Sequence, residues 1–464
     1  MVLNTEVKRR INNCRDILVG KVPDPKAQIE QITIALIYKF LDDMDKSYGG
    51  NFYFKNELSE YTWEKITDVK LTGEELFKKY TDAIEMFQTA EHFPDFFQSI
   101  FKNTYVPYKD ARTLSLFLKE IGYFSYENSE QLGDAFEYLL SIMGSQGDAG
   151  QFRTPRHIID FMVEVMEPKV GEKIIDPACG TAGFLISAYN FMRNQKNNKK
   201  LSSIEMKNVR DNLFGFDISP DMVRMAKVNM FLHGFENPEI VEFDTLSNDK
   251  DVKKWEARYD LILANPPFMT PRGGITPHDL FSVTSNRAEV LFVDYISEHL
   301  KKSSGRAGII VPEGIIFQNG NTYKDLRKKL LERGLYSVVS LPAGVFNPYS
   351  GVKTSVLLLD KTISKKTSDI LFIKIDEDGL DLGAQRREIK DNDLPLALEI
   401  LNEYKDKVLN DSNLELEKYE KTIAYIVPKD KIKEKDYNLS GERYKENVVY
   451  NGNWDLVELG EIAE

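Results

Sequence analysis

The chain is 464 residues long, with 42% hydrophobic and 29% charged residues and a formal net charge of −12. That length exceeds one ordinary core and predicts two or three domains of globular composition. Two cysteines, Cys14 and Cys179, exclude a disulfide framework and a cysteine-built zinc cluster, and five scattered histidines show no HExxH spacing, so no metal is expected. No apolar run is long enough to span a bilayer, and "MVLNTEVKRRINNCRD" is not built as a secretory signal. A cytoplasmic location and no membrane partner are therefore expected. The acidic balance also argues against a broad phosphate-gripping face, so any nucleic-acid binding needs local positive charge or a partner that brings it.

Residues 1–148 read as a helical domain. Asp24 and Pro25 suit an N-cap and a first helical position, and Ile29, Ile32, Leu36, Ile37 and Phe40 then recur at helical spacing. Leu132, Phe136, Leu139, Leu140 and Met143 repeat the pattern, and both stripes read as core packing. The glycine-rich "GSQGDAG" (144–150) then marks a boundary.

From 149 to 384 the pattern becomes α/β. Short apolar runs, "KIIDPACG", "NLFGFDIS", "EIVEFDTL", "YDLILANPPF", "RAGIIVPEG", "YSVVSLPAG" and "TSVLLLDK", alternate with helical stretches such as "GFLISAYNFMRN" and "PDMVRMAKVNMFLHG". That alternation predicts a parallel sheet covered by helices on both faces. Only about a dozen residues, including Pro342, Gly344, Pro348 and Gly351, join the last two runs, too few for a crossover helix, so the final strand should run antiparallel. The polar insertion "RNQKNNKKLSSIEMKNVRDN" reads as a surface loop. Residues 385–464 form a C-terminal region, first charged and helical, then polar and extended.

Four strand ends carry chemistry. In "IIDPACGTAGFL", Asp176 closes a strand, Gly180 and Gly183 allow close backbone approach, and a helix N-terminus follows. Ligands of open α/β sheets sit at such carboxyl ends. This is neither GxGxxG nor a phosphate loop, and a carboxylate beside the turn favours a ligand carrying positive charge. Asp217 in "FGFDIS" suits two ribose hydroxyls, and Asp244 in "EFDTL" suits an exocyclic amine. Each aspartate alone also fits a cap or a turn; three at successive strand ends point to a ligand. In "LILANPPFMT", the Asn265 amide oxygen and the Pro266 carbonyl are two acceptors on a proline-fixed turn, with Phe268 as a stacking face. Two acceptors suit a planar group bearing an NH2, drawing its nitrogen toward a nucleophilic geometry without a general base.

In that order, "DPACGTAGF", "FGFDIS" and "LANPPF" resemble the motifs of S-adenosylmethionine-dependent amino-methyltransferases. "GQFRTPRHI" (150–158) resembles the cofactor-gripping segment of N6-adenine DNA methyltransferases, and its placement ahead of NPPF resembles the gamma motif order. "GRAGIIVPEGIIFQNG", "LPAGVFNPYSGVKTSVLLLD" and "YNLSGERY" are similar to modification subunits of type I restriction–modification systems, over nearly the whole chain. The resemblance implies a Rossmann-like methyltransferase fold with a seven-stranded sheet, its last strand antiparallel. It implies S-adenosylmethionine binding by Gln151, Phe152, Arg153, Thr154, Pro155 and Arg156, by Gly180, Thr181, Ala182 and Gly183, and by Asp217 and Ile218. Asp176 should sit by the methionine end, and Asp244 with Thr245 by the adenine end. Asn265, Pro266, Pro267 and Phe268 should hold a target adenine flipped out of double-stranded DNA.

The implied partners are a specificity subunit that chooses the sequence and binds much of the DNA, a second modification subunit, and a restriction subunit. Such a complex protects host DNA from restriction. The helix near 394–409 is similar to a segment that docks on the specificity subunit, and equally suits a surface helix packed on its own domain. The tail "NWDLVELGEIAE", from about 453, resembles the opening of a target-recognition domain; the alternative is a polar tail anchored by Trp454. Two other functions stay open at this point. A protein-glutamine N5 methyltransferase would use the same two acceptors, although those proteins are shorter and carry Tyr after Pro-Pro. A non-catalytic DNA-bound scaffold is opposed by the intact Asp176, Asp217 and Asn265.

Overall fold

The computed structural model describes residues 5–50, 52–91, 93, 95–124, 136, 138–139, 154–194, 201–247, 258–268, 275–347, 350–383, 386–412, 415–416, 419 and 423–445. The N-terminal part is helical: α1 (Thr5–Val19), α2 (Pro25–Ser47), α3 (Gly73–Phe87), α4 (Asp95–Phe101) and α5 (Ala111–Gly122). Asp24 caps α2 by accepting from the N–H groups of Lys26 and Ala27, with Pro25 opening the first turn. The stripe Ile29, Ile32, Leu36, Ile37 and Phe40 is buried as its spacing predicts. Tyr38, Tyr80, Phe87, Phe101 and Phe117 fill the same core. Of the second stripe, Phe136 and Leu139 are buried there too, while Leu132, Leu140, Met143 and "GSQGDAG" lie outside the described residues.

The rest is built on strands β1 (Ile174–Asp176), β2 (Leu213–Asp217), β3 (Glu239–Glu242), β4 (Leu261–Ala264), β5 (Arg306–Pro312), β6 (Leu335–Ser340), β7 (Thr354–Asp360), β8 (Asp369–Lys374), β9 (Asp378–Leu380), β10 (Glu388–Asn392) and β11 (Ala424–Pro428). The helices of this part are α6 (Arg156–Met166), α7 (Gly183–Asn194), α8 (Ser203–Arg210), α9 (Pro220–Leu232), α10 (Ala288–His299), α11 (Asn321–Arg333) and α12 (Leu394–Leu409), besides shorter turns. The main sheet has the order β11-β8-β6-β7-β5-β4-β1-β2-β3. Strands β3, β2, β1, β4 and β5 run parallel, and β7 lies antiparallel between β5 and β6, as the short β6–β7 connection requires.

Two expectations need correction. The sheet has nine strands, not seven. β8 adds to the outer edge of β6 in parallel, and β11 pairs antiparallel with β8. The apolar run of β8 follows β7 after a single helical turn, with no long helix between them, and β11, beyond α12, is a half-buried edge strand ending at Pro428. The insertion after α7 is also not all loop. It contains α8, opened by a capping box in which Ser202 and Glu205 satisfy each other's backbone N–H groups.

Sheet residues alternate between two buried faces. Ile174, Leu261, Leu263, Ile310 and Leu358 join one core, and Ile175, Ile262, Ala264, Ile309 and Leu357 join the other. α12 packs on the first of these: Leu394, Ala397, Ile400, Leu401 and Tyr404 are buried in it, and Lys405 reaches the Val165 carbonyl at 2.8 Å and Glu167 at 2.7 Å.

α9 has two apolar faces. Val223, Ala226 and Met230 pack on the sheet, while Met225, Val228, Phe231 and Leu232 enter the N-terminal core. The Phe231 ring lies 5.7 Å from Phe40 and 5.1 Å from Phe97. Arg224 pairs with Glu30, and Lys26 meets Asp221 at 3.0 Å. The N-terminal helices thus brace the helix that begins just after Asp217. Truncating Phe231 to alanine should cost about 3–5 kcal/mol of unfolding free energy, read as a lower denaturant midpoint. An unchanged midpoint would mean that the two cores are not joined through α9.

Candidate functional site

The carboxyl ends of β3, β2, β1 and β4 lie side by side on one edge of the sheet. Neighbouring strands are about 4.8 Å apart, so the row of four ends spans roughly 14 Å. In sheet order it presents Asp244, Asp217, Asp176 and Asn265.

Three of these loops are tied to one another by hydrogen bonds. After β1, Asp176 accepts from the Ala178 N–H at 3.0 Å. The Cys179 N–H donates to the Phe216 carbonyl at 2.8 Å, and the Gly180 N–H donates to the Asp217 carboxylate at 3.0 Å. Asp217 also accepts from the Ser219 N–H at 2.9 Å, and Ser219 with Pro220 starts α9. The Phe243 N–H donates to the Asp217 carbonyl at 3.0 Å. Asp244 turns its own loop by accepting from Leu246 and Ser247, and the Thr245 hydroxyl donates to the Pro177 carbonyl at 2.8 Å. The tight turn places Gly180 at φ +51° and Ala182 at φ +65°. The second angle is strained for a residue with a Cβ, and the neighbouring loops must hold it.

Burial holds Asp176 and Asp217 in a low-dielectric environment. The Asp176 carboxyl is pushed up to about 8 by burial, and the nearby Asp217 charge adds to the rise. The Asp217 carboxyl is also raised by burial, against three backbone N–H groups that favour its charge. Burial likewise pushes the Cys179 thiol well up, which makes it inert packing beneath the turn. No cation among the described residues offsets Asp176. An acidic recess without its own counter-charge favours a positively charged ligand. Beside it Ile218 is 67% exposed, a flat apolar surface at the mouth of the loop.

At the end of β4, Pro266 is buried, Asn265 and Phe268 are half-buried, and Pro267 is exposed. Phe268 rests against the core on one face of the sheet. The Asn265 Nδ2 donates to the Thr154 hydroxyl at 2.9 Å. Its Oδ1 is buried, and among the described residues nothing donates to it. Such an acceptor costs about 1–3 kcal/mol when left dry. The site therefore carries one strong, aimed acceptor awaiting a donor.

Of the cofactor segment expected at 151–156, Gln151, Phe152 and Arg153 lie outside the described residues. Thr154 is at the β4 end, Pro155 precedes α6, and the Arg156 guanidinium pairs along α6 with Asp160 at 3.2 Å. Asp176, Gly180, Thr181, Ala182, Gly183, Asp217, Ile218, Asp244 and Thr245 all occupy the loops after β1, β2 and β3. Sequence reasoning missed Asn229 of α9, which is fully buried and donates from Nδ2 to the Thr181 carbonyl at 2.8 Å, holding the glycine turn from below. Its signal was a polar residue inside an apolar helix stripe. Among the described residues no group of His, Cys, Asp and Glu could hold a metal ion, and no described helix is long and apolar enough to cross a membrane.

Comparison with known proteins agrees with this layout. A family model described as N-6 DNA methylase matches residues 127–450. The chain is 36% identical over 258 residues to the EcoEI type I restriction enzyme methylase subunit of Escherichia coli, covering 55% of this chain and 51% of that one. It is 27% identical over 289 residues to the EcoKI methylase subunit of the same species, covering 59% and 53%. The matches thus span about half the length of these curated relatives. Among solved structures, a chain from a study of complex assembly and conformational transition in the type I R-M system superposes with a TM-score of 0.77 at 25% identity, covering 99% of this chain and 94% of that one. The type I restriction–modification methyltransferase subunit of Streptococcus thermophilus superposes with a TM-score of 0.72 at 19% identity, covering 94% and 98%, a likeness of fold.

The raised Asp176 value carries a stability consequence. Its folded-state pKa lies above the ordinary 3.8, so the folded chain holds the proton more tightly than the unfolded chain does. The penalty of a buried charge is absent below pH 3.8 and grows until the pH passes about 8. Between pH 5 and 8 the ligand-free protein should lose stability to this group by up to about 1.4 kcal/mol per pH unit. Asp176→Asn should flatten that part of the profile in denaturant unfolding. Parallel profiles for the two proteins would contradict the assignment.

Proposed function

The chain belongs to the N-6 DNA methylase family, and from that premise we propose that it transfers a methyl group from S-adenosylmethionine to N6 of an adenine flipped out of double-stranded DNA. The observation that carries this reading is the buried Asn265 Oδ1 at the end of β4, which no described residue satisfies, beside the acid-lined turn after β1.

The residues present suit the cofactor. S-adenosylmethionine, when bound, supplies a methyl group on a positively charged sulfur. Asp176, with no cation beside it among the described residues, suits the positive methionine end. Asp217 has lone pairs beyond those used by Gly180 and Ser219 for two ribose hydroxyls. Exposed Ile218 suits a purine face, and Asp244 with Thr245 suits its edge. The backbone N–H groups of Thr181 and Gly183 and the 151–156 segment complete the cradle.

For the target base, Asn265 Oδ1 and the Pro266 carbonyl accept the two N–H bonds of the adenine amine. Their pull favours a pyramidal nitrogen whose lone pair points away from the ring, and no side-chain base is needed before attack. Phe268 stacks on the base, and Pro266-Pro267 hold the backbone still. Flipping costs a few kcal/mol, offset in the pocket by these contacts.

The acidic net charge of −12 supports division of labour. We propose that a specificity subunit selects the sequence and supplies much of the phosphate contact, with a second copy of this chain and a restriction subunit as further partners in a type I restriction–modification complex that protects host DNA. The proposed division is an N-terminal helical domain over 1–148, a catalytic domain over 149–384, and a C-terminal region over 385–464 for partner docking.

Asn265→Ala should lower the methyl-transfer rate at least about 100-fold while leaving cofactor affinity, measured by calorimetry, nearly intact. Full activity in that variant would remove the clamp from the mechanism. Label recovered in peptide glutamine rather than DNA would favour a protein substrate instead.

A further inference from the structure

We propose that Thr154 is a positioning residue for methyl transfer, acting through Asn265 by holding its amide with the oxygen facing the target amine. The proposal rests on the preceding reading of Asn265 as the acceptor of that amine. By resemblance Thr154 belongs to a cofactor-gripping segment; its hydroxyl in this structure is engaged elsewhere, 2.9 Å from Asn265 Nδ2.

An asparagine amide turns readily about its last side-chain bond, because the torsion is broad and roughly two-fold. Turned one way it offers an acceptor to an incoming NH2; turned the other it offers N–H donors that repel it. Thr154 Oγ1 takes up the NH2 end, and this leaves Oδ1 buried with no donor among the described residues. Thr154 is itself buried, only 9% exposed, and its hydroxyl oxygen serves here as the acceptor.

The two backbones are also held in the same way. Thr154 precedes Pro155, and Asn265 precedes Pro266. A residue before proline is confined to extended conformations by the ring, so neither partner can drift by rotating its own backbone. The bond joins two side chains 111 residues apart, each locked by the proline that follows.

The test uses the full chain with the partner that directs it to DNA, as wild type, Thr154→Val and Thr154→Ser, with thermal melting to show that each is folded. Single-turnover transfer is measured at saturating S-adenosylmethionine and DNA, and cofactor affinity by calorimetry. Thr154→Val should slow transfer about 10- to 100-fold with cofactor affinity little changed, and Thr154→Ser should restore most of the rate. Independently of turnover, the side-chain amide signal of 15N-labelled Asn265, assigned by its absence in Asn265→Ala, should move in Thr154→Val and not in Thr154→Ser. The proposal is overturned by a wild-type rate in Thr154→Val, by a loss that vanishes at saturating cofactor, or by a folded Thr154→Ser as slow as the valine variant. A wild-type chain that forms no N6-methyladenine sinks the functional reading, and this role with it, even where the amide signal reports the bond.

Discussion

A buried amide oxygen without a donor is costly, and among the described residues nothing donates to Asn265 Oδ1. β4 delivers the residue to the sheet edge beside β1, Pro266 restricts its backbone, and the Thr154 hydroxyl occupies the other end of the amide. A fold that only had to end a strand would gain by turning this group to water. Keeping it dry, next to an acidic recess, makes sense when an amine donor arrives to complete it. The donor then gains a hydrogen bond in a low-dielectric setting, where such bonds are strongest.

The acidic row works by the same logic with opposite sign. Asp176 is buried with no compensating cation among the described residues, so the ligand-free site stores an electrostatic penalty that a positively charged ligand relieves. Asp217 does two jobs at once, ordering the glycine turn through Gly180 and its own loop through Ser219. The strained Ala182 is held by the turn it belongs to, and Asn229 supports that turn from α9. α9 in turn is clamped between the sheet and the N-terminal helices, so the helical part of the chain contributes rigidity to the helix that supports the site. On this account the acidic surface charge is no obstacle, because the base pocket needs neutral acceptors and the phosphate contacts can come from elsewhere.

Much of this was legible in the sequence because most of the strands from β1 to β7 are buried on both faces and four of them end in a chemical residue. β1 through β7 stood out as apolar runs separated by helices or, for the last pair, by a turn too short for one. Asp176, Asp217, Asp244 and Asn265 stood out because polar residues closed those runs. What stayed hidden depended on distance along the chain or on weak local signals. β8 and β11 are additions at one edge: β8 follows β7 after a single helical turn, and β11 is a half-buried edge strand beyond α12. α8 was overlooked in a polar stretch although its Ser202–Glu205 capping box was readable. The Thr154–Asn265 bond spans 111 residues, and no local pattern at either end predicts the other.

The most direct test of the account is the identity of the methylated product. The full chain, combined with the subunit that directs it to DNA, is given methyl-labelled S-adenosylmethionine and unmodified duplex DNA, and the DNA is digested to nucleosides. The account predicts label in N6-methyl-2′-deoxyadenosine and in no cytosine derivative. Label in a methylated cytosine, or in protein glutamine with none in DNA, would contradict it.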